Sequence, residues 1–188
     1  MNRKYNVLLI AGLLAGVFIY NSDAEDLIDI TRFQRFVAIE DIVEKTPPGW
    51  FECVNYEVQS DTCEMLAKTI RTGSNLVVTS IAKLNEQPPI AVTIIDRMEI
   101  KNGLACSDGS NVKAELISSF QLDPQSRDGL IRQAESLAKM FGEVCQAYFF
   151  AESGFNVRYF SADGSEIEGL PPVRSIFLKR EPDLRVGQ

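Results

Sequence analysis

The side chains best equipped for chemistry in this sequence are acids. Asp163, Glu166 and Glu168 fall close together near the C-terminus. Two carboxyls facing each other at about 5–10 Å across a cleft can cleave a glycosidic bond, one protonating the leaving oxygen while the other attacks or activates water. The competing reading is an acid-bearing turn, which needs no cleft. Ser136-x-x-Lys139 has the spacing that puts a nucleophilic serine and a lysine on one helix face, but the partner motifs of such hydrolases are missing, so a solvated face explains it better. Ser118-Ser119 adds no base of its own. Asp108-Gly109-Ser110-Asn111 begins like a calcium loop yet lacks the alternating acids and the closing glutamate, which leaves a turn. Trp50, Phe51, Phe149, Phe150, Phe155, Tyr159 and Phe160 cluster near element ends, where aromatics either floor a groove or pack a core.

The chain has no histidine. That removes the side chain that titrates near neutrality and serves as the usual base for serine and cysteine nucleophiles, and with it most catalytic zinc sites. No glycine-rich phosphate loop or dinucleotide fingerprint follows an expected strand. The sequence therefore offers no catalytic, cofactor-binding or metal-ligating set. A net charge of −7 without a basic stripe argues against nucleic acid and anionic membrane surfaces as partners.

Four cysteines remain, Cys53, Cys63, Cys106 and Cys145. Their long gaps and the absence of histidine disfavour zinc, and an even number behind an export signal reads as disulfides. Of the three connectivities, Cys53–Cys63 with Cys106–Cys145 is the expected one. The first would staple successive strands across a short loop, and the second would tie a strand end to a helix.

The export signal is at the N-terminus. Arg3 and Lys4 precede an apolar run, Val7–Tyr20, which suits a signal-peptide core and is short of the roughly 20 residues a bilayer-spanning helix needs. Ser22-Asp23-Ala24 supplies small residues for cleavage, and Glu25, Asp26 and Asp29 follow. Residues 1–24 are expected to be a cleaved secretory signal and residues 25–188 a single exported domain, periplasmic or extracellular, with a bacterial envelope the expected setting and no membrane insertion after cleavage. The alternative is an anchor formed by uncleaved residues 5–20.

The elements that would position any site follow from periodicity. Leu27, Ile30, Phe33 and Val37, flanked by Phe36, Ile39 and Val43, predict a helix over 27–45, ended by Thr46-Pro47-Pro48-Gly49. Trp50, Val54, Tyr56 and Val58 alternate as a strand with a polar break at Glu52. Further strands are expected around Leu66–Ile70, Leu76–Leu84, Ile90–Ile100 and Val112–Leu122, with turns at 71–75 and 85–89 and hairpin signals at Asn102-Gly103 and Asp108-Gly109. Asp123-Pro124 starts a second helix, about 124–147, with Leu130, Ala134, Leu137, Phe141, Val144 and Tyr148 on one stripe. Strands at Phe155–Tyr159 and Val173–Leu178 come last, and the polar tail 179–188 is expected to fray.

The expected fold is α+β: an antiparallel meander of about six to seven strands with both helices packed on one face and two disulfides. Phe33, Val37, Leu137 and Phe141 would then meet Val112, Leu116 and Phe120. The function that fits is a non-enzymatic exported protein binding an unidentified protein or cell-envelope component; the alternative is a carboxylate-based, glycosidase-like envelope hydrolase.

Overall fold

The structure is a computed structural model that describes residues 36–118 and 121–187. Its longest feature is a hairpin whose strands follow from sequence. The β-branched run after Asn75 builds β4 (Asn75–Glu86), Gln87-Pro88 turns it, and β5 (Pro89–Lys101) returns in register from Asn75↔Glu99 to Glu86↔Pro89. The remaining strands are β1 (Phe51–Val54), β2 (Thr62–Cys63), β3 (Met65–Thr72), β6 (Leu104–Ser107), β7 (Lys113–Ser118), β8 (Val144–Phe150), β9 (Phe155–Ser161), β10 (Val173–Leu178) and β11 (Asp183–Leu184). The helices among the described residues are α1 (Ile39–Lys45) and α2 (Pro124–Lys139).

The sheet is not open. Its order is β4-β3-β1-β10-β9-β8-β6-β5, and β5 pairs again with β4, closing eight antiparallel strands into a barrel. β7 is an extra strand on β5. The long β5 serves both partners, pairing its end, Glu99–Lys101, with β6 and its first half, Ile90–Ile95, with β7. Alternation sends Leu76, Met98, Ala105, Tyr148 and Val157 into the lumen, where they form the main core with Ile39 and Ile42. The opposite phase faces outward. Around β1 it is covered by the C-terminal tail, where Leu184 packs on Cys53, Cys63 and Leu66. Outside β8 and β9 the segment 162–172 folds over, anchored by Ile167 N–H donating to the Tyr159 carbonyl and by the buried Leu170.

Both helices act as plugs. α1 buries Ile39 and Ile42 beside Leu76 and Met98. α2 is capped by Asp123, whose side chain accepts from Ser126 N–H at 2.9 Å, and buries Ala134 against Ala82, Val92 and Ala114. Leu76 and Ala82 are separated by about 20 Å along β4 at ~3.4 Å per residue. The helices thus cover opposite ends of the barrel. Gly109 lets α2 approach: a Cβ there would lie 2.4 Å from the Ala138 carbonyl oxygen.

These findings correct the expected α+β layer. A closed barrel replaces the open sheet, its sheet has nine strands among the described residues where six to seven were expected, and the helices cap two ends instead of sharing one face. The meander fails as well, because β6 pairs with β8, not β7, and β1 with β10. The second helix stops at Lys139. Gly142 at φ +68° turns the chain, and Val144, Cys145 and Tyr148, expected on the helix, lie in β8. Phe141 therefore lies beyond α2, and Val37 bridges Tyr148 through its backbone. The first strand ends at Val54, leaving Val58 75% exposed. The tail does not fray: β11 pairs in parallel with β2. Of the expected helix over 27–45, residues 27–35 lie outside the described residues, as do the signal reading, the 5–20 anchor, Phe33, Ser119 and Phe120.

Both disulfides form as expected, Cys53–Cys63 and Cys106–Cys145, with Cα atoms 5.6 and 4.0 Å apart. The second joins facing residues of two strands, β6 and β8, rather than a strand and a helix. Two formed disulfides suit an oxidising, exported location. Among the described residues no helix is long and apolar enough to cross a membrane.

Candidate functional site

The polar break in the first strand is the centre of the candidate site. β1 alternates Glu52 and Val54 into the lumen and Cys53 out to the tail-covered side. Glu52 is 8% exposed. Ser175 of β10, fully buried beside it, donates its hydroxyl to Glu52 Oε1 at 2.6 Å, and the Tyr148 hydroxyl of β8 lies 3.4 Å from Oε2. The same hydroxyl is 3.5 Å from Gln146 Oε1. Among the described residues no basic side chain forms an ion pair with Glu52.

Burial pushes the Glu52 carboxyl above its ordinary range, and the hydrogen bonds from Ser175 and Tyr148 only partly oppose this. Burial and then the Glu52 charge push the Tyr148 hydroxyl up; Tyr159 of β9 is raised for the same two reasons. Both phenols stay protonated at any physiological pH. The cluster can accept hydrogen bonds and, once Glu52 ionises, balance one positive charge.

A pocket leads to it. Pro47-Pro48-Gly49-Trp50 forms a turn closed by Trp50 N–H on the Pro47 carbonyl at 3.2 Å, with Gly49 at φ +85°. Proline at the second position and a positive-φ glycine at the third are what a type II turn requires. This turn and α1 stand off β1 and β3, enclosing about 80 Å³ lined by Val43, Trp50, Thr69 and Phe177 with Glu52 at its inner side. A smaller space of about 50 Å³ lies deeper in the lumen and shares Glu52, Ala67 and Thr69 with the first. Pro47, Pro48 and Gly49 are exposed, so the lip of the pocket faces solvent.

The acids singled out from sequence do not meet in a cleft. Asp163 accepts from Ser161 Oγ at 2.5 Å and from Ser165 N–H at 3.0 Å, closing its own turn, and these bonds hold its carboxyl below the usual range. Glu166 takes both Nε (2.9 Å) and Nη2 of Arg158, whose guanidinium lies 5.7 and 5.9 Å from the rings of Phe149 and Phe160. Glu168, Ser136 and Lys139 are exposed. Asp108 accepts from Ser110 N–H at 2.8 Å, as a turn residue does. Of the clustered aromatics, Trp50 reaches the pocket lip, while Phe150 and Phe155 stack at 5.5 Å. No group of three or more cysteine, aspartate or glutamate side chains among the described residues could hold a metal.

Glu52 was the residue sequence reasoning passed over. Its signal was visible: an acid standing in the apolar phase of a strand, between Trp50 and Val54. What this defines is a plugged eight-stranded barrel with a buried carboxyl under a solvent-facing lip. Comparison with protein families, curated proteins and solved structures finds no match to this chain.

Proposed function

We propose that this chain is an exported, non-enzymatic protein that binds a protein or cell-envelope component at the α1 end of its barrel. The observation that carries this is the pocket between the Pro47–Trp50 turn and Glu52: an open recess with apolar walls at Val43, Trp50 and Phe177 and polar groups at Thr46, Thr69 and Glu52, the mix of apolar surface and a few placed polar groups that binding sites use. The carboxylate-hydrolase alternative loses its candidates, because Asp163 closes its own turn and Glu166 is held by Arg158. Export with cleavage after Ala24, giving a mature chain from Glu25, agrees with the two disulfides. The exposed Lys68, Arg97 and Glu99 on the outward phase of β3 and β5, around an apolar lumen, favour a barrel bathed in water over one facing lipid.

The test is retention of envelope components on immobilised domain, wild type against Trp50→Ala. Binding at the pocket predicts specific components on wild type and their loss from Trp50→Ala at an unchanged unfolding midpoint. Equal retention by both would remove the pocket from the function.

A further inference from the structure

Glu52 lacks something that a buried carboxyl normally has. Burying a carboxylate is costly unless a cation or several hydrogen bonds compensate. Here the compensation is one short hydrogen bond from Ser175 and one long one from Tyr148. No cation is supplied by the described residues, yet the carboxyl borders a space that opens to solvent. Val43, Pro47, Trp50 and Phe177 give that space apolar wall suited to methylenes, while Thr46 and Thr69 line it beside Glu52. Trp50 is also part of this lining, and an indole is the aromatic side chain that attracts a cation best. The volume, about 80 Å³, is roughly half that of a cavity that admits benzene, enough for the last few atoms of a straight side chain. The chain as a whole carries −7, which favours a basic partner.

We propose that the Glu52 pocket receives the terminal ammonium of a lysine side chain presented by a partner protein, the aliphatic stem lying against Trp50 and Phe177 and the nitrogen reaching the Glu52 carboxyl. This rests on the reading of the pocket as the binding site and names its occupant. Lysine fits better than arginine because an ammonium is a compact charge on a thin stem, whereas guanidinium is a planar fork that needs a wider opening.

The pairing makes binding depend on pH. The titratable groups facing Glu52 are Tyr148 and Tyr159, both held neutral. β3 and β10 contribute Ala67, Thr69, Ser175 and Phe177, and α1 turns Ile39, Ile42 and Val43 to the pocket while Glu40, Asp41, Glu44 and Lys45 stay off its lining. Glu52 is thus the group that must ionise: an ammonium entering against the protonated acid displaces one proton to solvent, and affinity rises with pH until the carboxyl is ionised beforehand.

The chain has a single tryptophan, and it is on the pocket lip, so its fluorescence reports occupancy directly. The experiment titrates the protein with Nα-acetyl-lysine methylamide, using the methylamide of N-acetyl-2-aminoheptanoic acid, in which a methyl replaces the ammonium, as the uncharged isosteric control. Expected are a saturable change with the lysine probe only, an affinity that climbs as pH rises above the ordinary glutamate range, and a loss of about tenfold or more in Glu52→Gln. Equal binding of both probes, or an affinity flat with pH in the wild type, would overturn the proposal even if Glu52→Gln failed to fold. Envelope retention that depends on Trp50 with no response to the lysine probe would leave the pocket as the site and sink the ammonium as its occupant. Failure of both experiments would remove the site itself.

Discussion

Two buried charged residues, Glu52 and Arg158, carry opposite lessons. Arg158 is matched by Glu166 in a bidentate pair, and its side chain is 9% exposed against 33% for Glu166. Removing the exposed partner is therefore worse than removing the buried one: Glu166→Ala leaves a guanidinium unpaired and should cost about 3 kcal/mol, while Arg158→Met keeps the packing on Phe149 and Phe160 and should cost less. Urea denaturation of both variants checks the order, and a larger loss in Arg158→Met would contradict it. Glu52 has no such partner among the described residues, and the folded chain holds its proton more tightly than the unfolded chain, whose carboxyl titrates near 4.5. Its contribution to stability is therefore present below about 4.5 and is lost as pH rises toward its raised folded value, the reverse of an ion-paired acid. Glu52→Gln should accordingly gain on the wild type as pH rises above about 4.5 toward the raised folded value, by about 1.4 kcal/mol for each pH unit the folded value is raised. Asp96, also raised by burial, acts in both proteins and drops out of the difference. A difference constant with pH would mean that Glu52 is ionised throughout. The acid was legible at this scale only as an interruption in a strand; what it touches depends on β8 and β10, far away in sequence.

Among the elements, β6 is the weak stave. It pairs with β5 through three residues and with β8 through three, and Cys106–Cys145 crosses the second seam directly. Cys53–Cys63 instead holds the tail-covered layer to β1. In the chain-entropy account, loops of 10 and 39 residues are worth about 3 and about 4 kcal/mol. The double variant Cys106→Ala/Cys145→Ala should lose more stability than Cys53→Ala/Cys63→Ala, and its amides in β6 and β8 should exchange faster while those of the β4–β5 hairpin keep their protection. Uniform loss of protection would argue that the seam does not open by itself. Cysteine pairing was legible because export, even number and spacing leave few alternatives. The identity of β8 was not. Val144 and Tyr148 stand four apart, as on a helix, and its second phase, Cys145, Ala147 and Phe149, is equally apolar because segment 162–172 covers that side. A strand buried on both faces has no alternation to read.

Closure belongs to the whole molecule, and alternation cannot reveal it, since an open sheet and a barrel put the same residues on one face. What decides is the pairing of β1 with β10 and of β4 with β5, the first joining segments over 120 residues apart. The tail extends this long-range closure. A polar segment read as frayed turns out to be stitched by Asp183 N–H on the Asp61 carbonyl, Arg185 N–H on the Cys63 carbonyl at 2.8 Å, and the Arg185 guanidinium on the Asn55 carbonyl at 2.9 Å and Glu64 Oε1 at 3.1 Å. Leu184 contributes the apolar part, packed over Cys53, Cys63 and Leu66. Polarity misled because these contacts are mostly made by backbone and guanidinium groups, which hydropathy scores as solvent-seeking. Truncation after Lys179 should therefore lower stability by about 3–5 kcal/mol, combining a partly buried leucine near the low end of leucine-to-alanine costs with the loss of several hydrogen bonds at about 1 kcal/mol each. Leu184→Ala in the full chain should account for about 2 kcal/mol of it. Chemical denaturation of the oxidised proteins measures both. If the truncated chain unfolds at the wild-type midpoint, the tail is only resting on β1 and β2, and the outer layer around Cys53–Cys63 must be held by its disulfide alone.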